Sequence, residues 1–201
     1  VDRPGSVQSS IRVGAIAVPR QHEDWLALNM VTRILGGGSA ARLFAKLREE
    51  KGYSYGIYSR LDSERFPAPW SSGGDVKGES TGDAMRDLLA EIQKICEEPI
   101  PEAELEENKR ATVARFALSL EQPSQVMAYH VERKRHGLAA DYWDHYAEQV
   151  FALKAEDLQK VAQKYLSPGR LQVVAVGDAR KIKPMLEQFG TVAESNGGQE
   201  D

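Results

Sequence analysis

Two residues seven positions apart, Arg48 and Tyr55, offer the clearest chemistry in this sequence. Arg48 falls in the last turn of a helix expected to start at a Ser39 cap and to stop at Lys51 and Gly52. Tyr55 is the second residue of a strand expected from Ser54 to Arg60. A helix end folded back onto a strand can bring these side chains together, presenting a guanidinium fork and a phenol O–H to one oxygen-rich ligand. Such a pair can hold a peptide backbone and stabilise an oxyanion. The plainer account is a surface arginine paired with carboxylates around Glu49 and Glu50, and a tyrosine packed in a strand. Pattern alone favours the plainer account.

Other chemistries fail on residue type or spacing. Gly36 to Gly38 precede a helix, the setting of a phosphate loop, but Ser39, Ala40 and Ala41 follow where Lys and Ser/Thr are needed. A zinc helix needs two histidines one turn apart, and His130 and His136 are six apart, so they point in well-separated directions. His22 and His145 have no such neighbour, and all four histidines read as surface or internally satisfied groups. No Gly-x-Ser-x-Gly elbow marks a serine nucleophile. Cys96 recurs at helical spacing with Met85, Leu88, Leu89, Ile92 and Ile95, the position of a buried small hydrophobe rather than a nucleophile.

The elements that must position the pair can be read in order. Residues 7 to 18 form a β-branched strand ending at Pro19. Asp24 can cap a helix whose Ala27, Leu28, Val31, Ile34 and Leu35 share a stripe. After the Ser54 to Arg60 strand comes a turn-rich strand or hairpin arm. A helical block then runs from Asp83, with a helix entered at Pro101, another from Pro123 to about His136, and two shorter ones over 141–151 and 154–166. Leu171 to Val176 reads as a strand and Ala179 to Phe189 as a short helix. Strands near both ends with helices between predict an α+β fold, with a mainly antiparallel sheet and helices packed on one face. One domain is expected over 1–190, followed by a polar tail over 191–201 that needs no structure.

The chain has 201 residues, 41% of them hydrophobic and 28% charged, enough for one good core. No apolar run is long enough to span a membrane. Lys+Arg 26 against Asp+Glu 30 gives a net charge of -4 without a basic, aromatic-interleaved patch, so nucleic acid is not an expected partner. The opening VDRPGS, in place of a methionine, is read as the sign of a piece excised from a longer protein.

The stretch LGGGSAARLFAKLREEKGYSYGIYS, Leu35 to Ser59, resembles the Gly-rich turn, helix and strand of the pitrilysin/insulinase family of zinc metallopeptidases, which includes the mitochondrial processing peptidases. The match is to the family's second, non-zinc domain. DRPGSVQSSIRVG near the start and DLQKVAQKYLSPGRLQVVAVGD near the end resemble its first strand and its closing helix and strand. The resemblance implies that Arg48 and Tyr55 hold the substrate backbone at the scissile bond and help stabilise the tetrahedral intermediate. It implies that zinc sits in a homologous partner domain or subunit carrying His-x-x-Glu-His, with no metal in this chain. The implied substrate is a peptide or unfolded polypeptide, and a homodimer is a further candidate assembly. The alternatives are a non-catalytic structural homologue, like the core subunits of respiratory complexes, or a protein-binding module. The expected compartment is the bacterial periplasm or cell envelope rather than the cytoplasm.

Overall fold

Alternation of side chains sets the first strand, β1 (Gln8–Ile16), in which Ser9, Ile11, Val13 and Ala15 are buried while Gln8, Arg12 and Ile16 are exposed. The computed structural model describes residues 1–195, so positions 196–201 of the expected tail lie outside the described residues. β1 sits inside a four-stranded sheet with β2 (Ser54–Leu61), β3 (Pro69–Lys77) and β4 (Gln172–Val176), in the order β2-β3-β1-β4. Every pairing within that sheet is antiparallel, as predicted. Between β3 and β4 the chain is helical, with no strand: α3 (Thr81–Glu97), α4 (Glu102–Ser119), α5 (Pro123–His136), α6 (Tyr146–Ala152) and α7 (Ala155–Leu166). A last helix, α8 (Ala179–Leu186), follows β4.

The core lies between one face of the sheet and the helices. Ile11, Val13, Ile57, Trp70 and Val76 face Leu28 and Leu35 of α1 (Trp25–Gly36) together with Met85, Leu88 and Ile92 of α3. Burying each large aliphatic side chain contributes about 1.5–3 kcal/mol, which is why the 3.6-residue stripes settle these helices. Among the described residues no helix covers the opposite face, where Arg12, Ile16, Tyr58 and Val174 stand exposed.

Two expected caps are used differently. Asp24 precedes α1, but its Oδ2 accepts hydrogen bonds from Lys164 Nζ at 2.8 Å and Tyr165 Oη at 2.6 Å, tying α1 to α7. Burial pushes this carboxyl up, and the two hydrogen bonds outweigh it and hold it below the ordinary aspartate value. Ser39 caps nothing: α2 (Arg42–Phe44) starts after Ala41, and Arg42 forks onto Glu104 of α4 at 2.8 and 2.6 Å. Residues 141–145 are turns, so the helix predicted from 141 begins only at Tyr146. The turns place Tyr142 and Trp143 in an aromatic cluster with Phe116, Tyr129 and Tyr146. Residues 191–195 form no helix or strand, and the Ser195 carbonyl accepts from the Asp2 amide at 3.1 Å.

Candidate functional site

α2 does not continue as an ordinary helix. From Ala45 to Glu50 it widens into a π-helical stretch, in which the Lys51 amide reaches back five residues to the Lys46 carbonyl at 3.2 Å. Widened turns of this kind recur at functional sites because they re-aim side chains. Arg48 lies on this stretch. Gly52, at φ 62, then reverses the chain, and the Tyr53 amide closes the turn on the Leu47 carbonyl at 2.9 Å.

The strand that follows is irregular where Tyr55 falls. Ser54 stands opposite Val76 and Ile57 opposite Gly74, so three steps on β2 match two on β3. That is a β-bulge, and it frees Tyr55 from the alternation that keeps Ile57, Ser59 and Leu61 toward the helices. Tyr55 is 84% exposed.

Both parts of the plainer account are absent. Among the described residues Arg48 makes no ion pair: Glu50 is held by Lys46 at 2.9 Å and Lys51 at 3.4 Å. The Arg48 guanidinium instead lies 4.7 Å above the Phe44 ring. Tyr55 is not packed in the sheet.

No hydrogen bond joins Arg48 to Tyr55 among the described residues; they share one edge of the domain through two intervening rings. Phe44, under Arg48, meets Tyr58 with ring centroids 6.1 Å apart. The Tyr58 ring folds over Gly56, next to Tyr55, since a Cβ on Gly56 would stand 2.7 Å from Tyr58 ring atoms. Phe44 and Tyr58 were not among the candidates read from the sequence. The signal for Phe44 was available, because residues four apart share a helix face.

The remaining candidates stay out of this site. Cys96 is buried, and burial pushes its thiol up to about 11. His22 Nδ1 accepts from the Asp24 amide at 3.0 Å, and His145 Nδ1 meets Glu148 at 3.0 Å, which raises the His145 imidazole above its ordinary value. His136 departs from expectation: it is buried, and its Nδ1 has no hydrogen-bond partner. Among the described residues no group of three His, Cys, Asp or Glu side chains is placed to hold a metal ion, so the residues present do not fit a zinc site.

A family model described as the peptidase M16 inactive domain matches residues 1–112, more than half of the chain. The chain belongs to this family. The M16 domain is therefore the non-zinc domain that the sequence resemblance implied. An uncharacterised zinc protease of Mycobacterium tuberculosis is 27% identical to it over 160 residues, 80% of this chain and 36% of that protein. A zinc protease of Helicobacter pylori is 28% identical over 153 residues, 72% of this chain and 33% of that protein. The M16 domain thus spans about a third of the length of these curated relatives. The crystal structure of a peptidase M16 inactive domain from Pseudomonas fluorescens superimposes with a TM-score of 0.82 at 20% identity, covering 98% of this chain and 44% of that one, a likeness of fold.

Proposed function

We propose that this M16 domain is the substrate-holding half of a zinc-dependent endopeptidase. It would complete a peptide-cleaving chamber with a homologous domain or subunit carrying His-x-x-Glu-His, and would be inactive alone. The observation that supports this reading is that, among the described residues, Arg48 and Tyr55 both present hydrogen-bonding groups without an internal partner, on a π-widened helix end and a bulged strand.

The geometry suits that role. A guanidinium held over an aromatic face spends no hydrogen-bond donor on that contact, and Arg carries five N–H donors. Phe44 therefore orients Arg48 without consuming its donors. On this reading Arg48 and the Tyr55 phenol donate to peptide carbonyl oxygens, and both bonds strengthen as the reacting oxygen gains negative charge. Water activation would be supplied by the partner's zinc.

The test uses the domain assembled with its zinc-bearing partner. Arg48→Lys keeps the charge and loses the fork, so kcat/KM should fall about 10- to 100-fold, the value of one charged hydrogen bond at about 1.5–3 kcal/mol. The melting temperature should not move, because Arg48 is exposed. Turnover close to wild type would instead support a non-catalytic structural or protein-binding homologue.

A further inference from the structure

A cavity of about 390 Å³ opens between α1, the far end of β2 and the α4–α5 hairpin. Phe44, Arg48, Tyr55 and Tyr58 do not line it. Four arginines do: Arg20, Arg33, Arg60 and Arg115, against a single carboxylate, Glu132. That carboxylate is already engaged, since Glu132 Oε1 accepts from Arg20 Nε at 2.7 Å, and Arg60 pairs with Asp62. Among the described residues Arg33 and Arg115 have no ion pair.

Two further donors at this cavity are stranded. Trp25 Nε1 and Arg33 Nε are buried without a hydrogen-bond partner. Indole and guanidinium nitrogens only donate, so what each lacks is an acceptor. Buried donors left unpaired are costly and uncommon. Burial, and then the like charge of Arg115, hold the Arg33 guanidinium below its ordinary value. An anion between the two arginines would relieve both penalties. Phe116 and Trp143, stacked with ring centroids 5.7 Å apart, form an aromatic section of the wall, alongside the polar Asn29, Thr32, Ser59 and Thr112.

We propose that this cavity binds a carboxylate of a peptide, with Arg33 and Arg115 as its charge partners and the Phe116–Trp143 wall against an apolar neighbouring side chain. A peptide carboxylate uses more of this lining than inorganic phosphate does, because only the peptide brings an apolar neighbour to the Phe116 and Trp143 rings. The carboxylate can come from a chain terminus or from an acidic side chain. Neither a zinc-bearing partner nor Arg48 and Tyr55 is required.

The experiment titrates the 201-residue chain at neutral pH, by calorimetry and tryptophan fluorescence. The probes are N-acetyl-alanyl-phenylalanine, its C-terminal amide, N-acetyl-phenylalanyl-glutamate amide and inorganic phosphate. At least one carboxylate peptide should bind with a Kd of about 1 mM or tighter, and the uncharged amide should bind about 10-fold or more weakly. Binding of the free acid alone assigns a chain terminus, and binding of the glutamate peptide assigns a side chain. Arg115→Gln is at an exposed position and should fold normally, and it should lose about 10-fold in affinity, as should Arg33→Gln. Arg110→Gln, on α4 but outside the cavity, should bind as wild type. Binding of neither carboxylate peptide more tightly than the uncharged amide, undiminished affinity in Arg115→Gln, or tighter binding of phosphate than of either carboxylate peptide would overturn the proposal.

Discussion

Replacing Gly36 by alanine should force α1 and β2 apart. A Cβ on Gly36 would stand 2.4 Å from the Ser59 amide nitrogen, 2.6 Å from Ser59 Oγ and 2.9 Å from the Tyr58 carbonyl carbon. Two of these three atoms are backbone, in a strand paired with β3 through Ser59 and Ser72, so no side-chain rotation relieves the clash. Overpacking costs about 1–3 kcal/mol, and a backbone obstacle argues for the upper end. Alanine returns about 1 kcal/mol in helix propensity, leaving a net loss of about 2 kcal/mol. At about 2–4 °C per kcal/mol for a chain of this size, the melting temperature should fall by about 4–8 °C. Gly38 is the internal control, since nothing lies within 4 Å of its added Cβ and its φ is not positive. Gly38→Ala should melt at the wild-type temperature or gain about 0.4–1 kcal/mol. Calorimetric melts of both variants at neutral pH decide it. If Gly36→Ala melts with or above wild type, the claim that this glycine serves a helix-to-strand contact is wrong.

Two further outcomes follow from buried titratable groups. Burial holds His136 below its ordinary 6.5, so below pH 6.5 the unfolded chain binds more protons than the folded one, and stability should fall as the pH drops through that range; His136→Asn should flatten this slope in melts run from neutral to mildly acid pH. Cys96, with its thiol pushed up to about 11, should resist a thiol reagent in the native state and take up one equivalent in denaturant, whereas rapid native labelling would show that α3 opens readily.

Much of the architecture was legible because it rests on patterns the sequence carries locally. The β-branched run of β1 and the stripe through Met85, Leu88, Ile92 and Ile95 each fix one element and its inward face. What could not be read depends on atoms brought in from elsewhere. Asp24 looks like a cap until Lys164 and Tyr165, 140 and 141 residues away, supply better donors for its carboxylate. The bulge at Tyr55 is a mismatch in counting between two strands, invisible from either alone. The π-widening beneath Arg48 changes hydrogen-bond partners without changing residue types. The arginine cavity escaped notice for the same reason, since Arg20, Arg33, Arg60 and Arg115 come from four separate stretches of chain. The Arg48 and Tyr55 pair was visible only because both lie within one short stretch, and the family resemblance singled them out.

The central claim is that Tyr55 acts on the substrate rather than on the fold. The most direct measurement is kcat for Tyr55→Phe in the domain assembled with its zinc-bearing partner, taken together with the melting temperature of the variant. The phenol is 84% exposed and its removal leaves the ring in place, so stability should be unchanged. Loss of one oxyanion donor should lower kcat by about 100-fold or more, about 3 kcal/mol of transition-state stabilisation, with a much smaller change in KM. A kcat within about 2-fold of wild type at unchanged stability, less than about 0.5 kcal/mol, would contradict the account and leave this M16 domain a scaffold.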